Sequence, residues 1–430
     1  MSEVTFLNHS CLIAKDEGIR ILCDPWFFGT AFQEGWSLLE ENTHDINEIN
    51  FDYIWISHEH PDHFSIATLL SLKTPATFLY QFTLDKKVKN FLEKKGHQVI
   101  ELEDSKTIEL HQLKLTLFVC DGYDSSLLFE FSDGTFFLNV NDARIDLPKE
   151  LSRVKDKIKG QTIDLIASQF SYANWAGNRG DIELPKHQQK LVNDKNILLI
   201  EALKPKKFLL FASYVFYSHE ENFFWNKPTD ISEISEHLSQ IDEQCSVIIP
   251  VPNQVISLNQ STNTNCRKLN AHAIQYWNNL LDQRAIATNT LKPPSQNVLI
   301  ESYQTFYKKL WNQNAIENIQ NNADHNFHLT LFIQDLNQVI QIDLFKESFK
   351  ILKSNHPYDC KLSAEVFLFL MNNLFARGTV VINSRIEFNY LYAYKFFIFF
   401  FVPYANNIGR SYLDKKLQRS DLRSIRNTSV

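Results

Sequence analysis

The sequence predicts an α/β fold, with two β-sheets packed face to face and flanked by helices, and a smaller α+β domain behind it. Three observations carry this expectation. Apolar runs of strand length alternate with amphipathic helical stretches through residues 1–258, and a cluster of histidines with an aspartate ends one of these runs. The texture then changes across 259–300, where NQSTNTNC is polar and LKPPSQN carries a proline pair, with a helical segment between them. The expected domains are therefore 1–258 for the sandwich, 259–300 for a linker containing a helix, and 301–430 for the C-terminal α+β domain.

Taken in order, Thr5 to Ala14 and Ile19 to Cys23 read as a β-hairpin, Tyr53 to Ser57 as the strand leading into the histidine cluster, and Ala67 to Leu72 as the helix after it. Lys114 to Val119, Leu127 to Phe131 and Thr135 to Val140 form an antiparallel set, with Asp133-Gly134 as a hairpin turn. Strands recur at Ile163 to Ser168, Lys207 to Phe211 and Cys245 to Pro250, and helical patterns at Lys186 to Leu203 and Ile231 to Ile241. The last domain opens with the aromatic helix SYQTFYKKLWNQ. Strands at Phe327 to Gln334 and Val339 to Phe345, an apolar helix at Ala364 to Phe375 and a strand at Thr379 to Asn383 follow. Its pattern faintly resembles a sterol-carrier-like module.

The composition is that of a chain with ample core: 430 residues, 44% hydrophobic and 13% aromatic. The net charge of -7 argues against a general nucleic-acid binder, which normally carries a basic excess. The six cysteines (Cys11, Cys23, Cys120, Cys245, Cys266 and Cys360) show no CxxC or CxH pairing and read as free thiols of a reducing cytoplasm. No signal-peptide pattern is expected in MSEVTFLNHSCLIAKDEG. FFIFFFVPY, Phe396 to Tyr404, is too short to span a bilayer and is expected as a buried strand or helix rather than a membrane contact. The tail after Gly409, with Arg410, Lys415, Lys416, Arg419, Arg423 and Arg426, reads as a solvated or frayed element, or else as an anion-binding one.

The chemistry concentrates in HEHPDH, where His58, His60, Asp62 and His63 stand within six residues at a strand end and Pro61 stops a helix from running through them. Imidazole mixed with carboxylate suits zinc, iron or manganese. One ion rarely takes all four groups from so short a loop, so two divalent ions are expected, zinc before iron, with His58 and His60 on one and Asp62 and His63 on the other. Asp142, in LNVNDAR after a strand, is the candidate for a carboxylate bridging both. Asp24, closing ILCDPWF, is expected to orient a ligand histidine through a hydrogen bond rather than to bind metal. His219, in FYSHEEN, is either a ligand or substrate contact or a surface residue, and His187 is expected to be exposed.

HEHPDH resembles the signature of the metallo-β-lactamase fold superfamily, which implies an αββα sandwich and hydrolysis by a metal-bound hydroxide. The segment in which that superfamily places a further histidine reads VCDGYDSSLLFEF and has none, so Asp121 or Asp124 substitutes or one metal position is weak. A longer string, NHSCLIAKDEGIRILCDPWFFGTAFQEGW followed by ISHEHPDH, resembles the non-Rieske C-terminal region of the CMP-N-acetylneuraminate hydroxylase family, as do the later blocks DLIASQFSYANW and FASYVFYSHE. That family carries an iron-sulfur domain held by CxH and CxxH motifs, and this chain contains no such pair.

Two enzymatic expectations follow, with a binding protein built on a degenerate site as the third. The first is a hydrolase of a phosphorylated or nucleotide-linked sugar or related ester, with Asp62 holding the nucleophile and accepting its proton. The second is an iron-dependent hydroxylase of a substrate like CMP-sialic acid that needs a separate Rieske redox protein. Either takes a small anionic substrate. Arg144, Arg179 and Lys186 are phosphate partners or ordinary surface charges, and Tyr172-Ala173-Asn174-Trp175 stacks a ring or packs in the core.

Overall fold

The computed structural model describes residues 2–120, 124–226, 230–260, 266–284, 292–314, 316–320, 323 and 326–407. The expectations for Asp121 and for the basic tail lie outside them. The chain forms two compact units, the first of residues 1–173, 182–219 and 223–287, the second of 174–181, 220–222 and 288–430.

The first unit is built on strands β1 (Glu3–Asn8), β2 (Cys11–Asp16), β3 (Ile19–Cys23), β4 (Thr30–Ala31), β5 (Trp36–Leu38), β6 (Tyr53–Trp55), β7 (Thr77–Gln81) and β8 (Gln98–Leu102). They are followed by β9 (Thr107–Leu110), β10 (Leu113–Val119), β11 (Ser125–Glu130), β12 (Phe136–Asn141), β13 (Leu165–Gln169), β14 (Lys207–Phe211), β15 (Val215–Tyr217), β16 (Ser246–Ile248) and β17 (Gln254–Ser257). One seven-stranded sheet runs β17-β1-β2-β3-β6-β7-β8 and the other β16-β14-β13-β12-β11-β10-β9, while β15-β5-β4 make a small third sheet. Each large sheet is antiparallel at one side and parallel at the other, with β3, β6, β7 and β8 parallel in the first and β12, β13, β14 and β16 parallel in the second.

The two-residue period of a strand explains the layering. Cys23, Trp55 and Leu79 point into a core shared with Phe129, Phe137 and Leu209 of the other sheet. Their neighbours Leu22, Ile54 and Phe78 point the other way, against Val88 and Leu92 of the helix Lys87–Lys94. On the second sheet, Val154, Leu199 and Leu238 of the helices Pro148–Ile158, Glu183–Leu203 and Ile231–Ser239 join the main cluster. The result is the expected αββα sandwich. β12 is buried along its whole length, as a strand covered on both faces must be.

The second unit holds an antiparallel and parallel sheet of β18 (His328–Ile333), β19 (Gln338–Asp343), β20 (Phe349–Leu352), β21 (Cys360–Leu362) and β22 (Glu387–Phe388), in the order β20-β19-β18-β21-β22. Helices Gln296–Gln313 and Ala364–Asn372 pack Leu299, Tyr303, Phe306, Phe367 and Leu370 into its core. The strand expected at Thr379 to Asn383 is instead the helix Ala376–Ile382. An apolar run of this length is compatible with either state, and here Ala376 and Val380, four apart, lie together in the core. Phe396 to Tyr404 falls in two helices, Ala393–Phe399 and Phe401–Asn407. No helix among the described residues is long and apolar enough to cross a membrane.

Two excursions from the first half of the chain complete this unit. The Asn178 side chain donates to the Phe388 carbonyl and accepts from the Phe388 N–H, both at 2.8 Å, pairing with the edge of β22 as a strand would. Asn222 Nδ2 donates to the Asn383 carbonyl at 2.7 Å. Arg385, only 1% exposed, is bound between Glu221 of the second excursion and Glu365 of the helix Ala364–Asn372. Removing one member of such a buried group strands the remaining charges. Arg385→Ala is expected to cost about 3–5 kcal/mol in urea unfolding monitored by circular dichroism, and Arg385→Met distinctly less because it refills the volume.

Candidate metal centre

The loop after β6 turns sharply at HEHPDH, with the His60 carbonyl accepting from the N–H groups of His63 at 3.0 Å and Phe64 at 2.7 Å. This fold-back gathers the three imidazoles. His58 Nε2 lies 2.8 Å from His60 Nδ1, and the His58 and His63 rings are 4.3 Å apart. Two groups result, each with one ligand atom per residue within 4.8 Å of the others: His58, His60 and Asp142, and beside it His9, Asp62 and His63.

His58 thus stands beside His60, and Asp62 beside His63, with Asp142 in the first group. Asp142 also reaches the second, since His63 Nε2 is 3.4 Å from Asp142 Oδ2 and 3.4 Å from Asp62 Oδ2. His9 was not among the expected ligands. It sits in the β1–β2 turn, only 1% exposed, with Nε2 at 3.2 Å from Asp62 Oδ2. The string NHSC gave no metal spacing of its own, because its partner is 53 residues away. His219 is buried on the loop after β15, where its carbonyl accepts from Phe223 N–H, and it belongs to neither group. His187 is exposed, as expected. Asp124 Oδ1 lies 3.9 Å from His58 Nε2, beside the first group.

One buried carboxylate orients the cluster. Asp24, fully buried at the end of β3, accepts from Ser57 N–H at 2.7 Å, Ser57 Oγ at 2.7 Å, Asn141 Nδ2 at 2.8 Å and His63 Nδ1 at 2.8 Å. With Nδ1 engaged by Asp24, Nε2 is the His63 nitrogen that faces Asp62 and Asp142. Ser57 Oγ also lies 3.0 Å from His58 Nδ1, so the same network turns His58 Nε2 inward. Lys195 Nζ, buried, donates to the carbonyls of Asn141 at 3.4 Å and Asp142 at 3.3 Å and so fixes the end of β12.

The residues fit a pair of cations. His9 Nδ1, Asp62 Oδ1, His63 Nε2 and Asp142 Oδ1 are buried without a hydrogen-bond partner, which is costly for polar atoms unless something else binds them. The electrostatics agree. Burial pushes the Asp62 carboxyl up, but His63 and His9 outweigh it and hold the group well below the usual carboxylate range. Asp142, raised by burial, is brought down to about 2 by His63. Burial lowers His63, and the charges of Asp62, Asp142 and Asp24 together carry it well above the ordinary imidazole value. The Asp62 and Asp142 carboxyls, held low by the imidazoles beside them, thus call for positive charge in this pocket.

Arg144 pairs with Asp146 at 2.8 Å, Lys186 with Glu183 at 3.2 Å, and Arg179 donates to the Glu220 carbonyl at 3.1 Å. The rim of the first group is aromatic. Phe32 packs 5.8 Å from the His60 ring and 4.8 Å from Trp36. It opens three consecutive left-handed residues, Phe32, Gln33 and Glu34, at φ 50°, 54° and 60°. For residues with a Cβ this conformation costs about 1–2 kcal/mol each.

The model of the β-lactamase superfamily domain matches residues 3–121. The cytidine monophosphate-N-acetylneuraminic acid hydroxylase of Danio rerio is 26% identical over 290 residues, covering 59% of this chain and 46% of that protein, and that of Xenopus laevis is 25% identical over 276 residues, covering 60% and 46%. The chain thus spans about half the length of these relatives. Among solved structures, CmlA, a diiron β-hydroxylase from Streptomyces venezuelae, aligns at 14% identity with a TM-score of 0.43, covering 59% of this chain and 54% of that one. Residues 3–121, which carry His9, Asp24 and the HEHPDH loop, match the β-lactamase superfamily domain, and the N-terminal three-fifths of the chain is similar to the cytidine monophosphate-N-acetylneuraminic acid hydroxylases.

Proposed function

We propose that the chain is a metal-dependent hydrolase, with His58, His60 and Asp142 holding one ion, His9, Asp62 and His63 the other, and a phosphorylated or nucleotide-linked sugar or related ester as substrate. The observation that carries this reading is the pair of adjacent ligand groups with unpartnered acceptor atoms between them. Two divalent ions there would lower the pKa of a water and stabilise the negative charge that develops on the substrate.

The chain's own residues do the rest. Asp62 is ionised, and its Oδ1 is the unpartnered atom from which a water is oriented and to which its proton passes. His9, at the other carboxylate oxygen, keeps Asp62 aimed. Asp24 and Ser57 fix the tautomers of His63 and His58. All of this is available without an electron donor, which favours hydrolysis.

Similarity to hydroxylases supports a second reading. Two imidazoles and one carboxylate also make up the open-sided iron sites of oxygenases, and each group here has that composition. In this reading Asp62 serves mainly as a ligand, the substrate is an N-acylated nucleotide sugar, and a separate redox protein delivers electrons.

Elemental analysis of the purified protein is expected to give close to two metal ions per chain, falling toward one in His9→Ala. Protein stripped by a chelator and reloaded with zinc is expected to cleave bis(4-nitrophenyl) phosphate or 4-nitrophenyl acetate, and Asp62→Asn to lower kcat by about 10²–10⁴. If zinc-loaded protein is inert while iron-loaded protein with a reductant consumes oxygen in the presence of CMP-N-acetylneuraminic acid, the hydroxylase reading replaces this one. Asp24→Asn is expected to weaken metal binding about 10–100-fold in a chelator competition while leaving the fold intact.

A further inference from the structure

A second cavity in the first unit, distinct from the metal-facing groups, has the chemistry of a ring-binding site. It occupies about 740 Å³ including its open mouth. One wall is the stacked pair Tyr214 and Trp277, with ring centroids 4.3 Å apart. Both are already satisfied, Tyr214 Oη donating to the Leu210 carbonyl at 3.0 Å and Trp277 Nε1 to the Pro250 carbonyl at 2.8 Å. They present flat apolar faces and ask for nothing more.

Other lining side chains differ. Trp36, Tyr172 and Trp225 are 2%, 7% and 3% exposed, and Trp36 Nε1, Tyr172 Oη and Trp225 Nε1 are all without a hydrogen-bond partner. Indole N–H groups only donate, and burial pushes the Tyr172 hydroxyl up so that it too keeps its proton. Buried donors without acceptors are rare in folded proteins. Three of them around one aromatic cavity call for a ligand that brings acceptors. Among the described residues that line the cavity there is no lysine, arginine, histidine, aspartate or glutamate, so these residues offer no counter-charge to an ionic group.

The cavity is connected to the catalytic groups through its own lining. Ala212 N–H donates to the His9 carbonyl at 2.9 Å, and Trp36 packs on Phe32, which also packs on the His60 ring. The cavity lining is thus linked to one residue of each candidate ligand group, His9 and His60.

We propose that this cavity seats a neutral heteroaromatic ring bearing acceptor atoms, stacked along Tyr214 and Trp277 and bonded by the free donors, as the part of the substrate that does not react. Its meaning for catalysis rests on the hydrolase reading; its existence as a binding site does not. The ring would hold the substrate while its charged portion lies toward the metal groups, so binding energy from a remote part is used to position the reacting bond.

The test uses cytidine, an uncharged base on a sugar, titrated calorimetrically into full-length protein stripped of metal. Saturable one-site binding is expected, weakened about five- to tenfold in Tyr172→Phe, which removes a single donor and keeps the ring. Trp277→Leu is expected to abolish it, and Asp142→Asn, which disables both metal groups, to leave it within twofold of the parent. Melting curves of the two pocket variants check that they fold, and Tyr172→Phe carries the test if Trp277→Leu does not. Absence of cytidine binding, or equal affinity in the parent protein and Tyr172→Phe, overturns the proposal. Neither result depends on metal or turnover, so loss of the hydrolase reading would be seen separately.

Discussion

The Asp24 carboxylate is completely removed from water, and an ion in that position costs several kcal/mol unless its oxygens are filled. The donors that fill them come from distant parts of the chain: Ser57 at the end of β6, His63 from the histidine loop and Asn141 at the end of β12. Asp24 itself ends β3. One buried charge therefore ties the first sheet, the metal-facing loop and the second sheet at a single point. Ring orientation follows from it, since the hydrogen bond that His63 Nδ1 gives to Asp24 is the one that turns Nε2 toward Asp62 and Asp142. The cost of burying the charge and the placing of the ligands are one interaction.

The backbone around this point is held in conformations that side chains with a Cβ avoid. Asp24, Asn141 and Ala212 have φ of 42°, 49° and 47°, and Phe32 to Glu34 form a left-handed turn. Each ends or interrupts a strand near the site, where a side chain must leave the alternation of the sheet to face the cleft. Such strain persists only when its surroundings overdetermine it. Here they do so through the fully buried β12 and through hydrogen bonds from both sheets.

Much of this centre was legible in the sequence for a local reason. Four of the metal-facing groups fall within six residues, so their spacing alone announces chemistry. Asp142 and Asp24 were reachable because each follows an apolar run that reads as a strand. His9 was not, because it has no metal-type neighbour in the chain and becomes one only when the β1–β2 turn meets the histidine loop. The same limit applies to fold: Asn178 and Asn222 join the second unit through side-chain amides that no periodicity reports, and the helix Ala376–Ile382 carries an apolar run that period alone assigns to a strand.

The two ligand groups are not independent, and this shapes what any reaction here can be. His63 Nε2 stands equally far, at 3.4 Å, from Asp62 and Asp142, and Asp142 is counted in the other group. A change at either carboxylate alters the field at both positions, so substitutions across the groups are not additive. Charge balance imposes the same coupling, because the carboxylates are held ionised by positive charge close to them, and a cation entering one group competes with the proton on His63 for that role. A cation bound in one group would in this way leave His63 Nε2 available as a ligand for the other. The six side chains lie as one connected cluster rather than as two sites side by side, and His9 joins it through its 3.2 Å contact with Asp62, which His63 meets at the same oxygen.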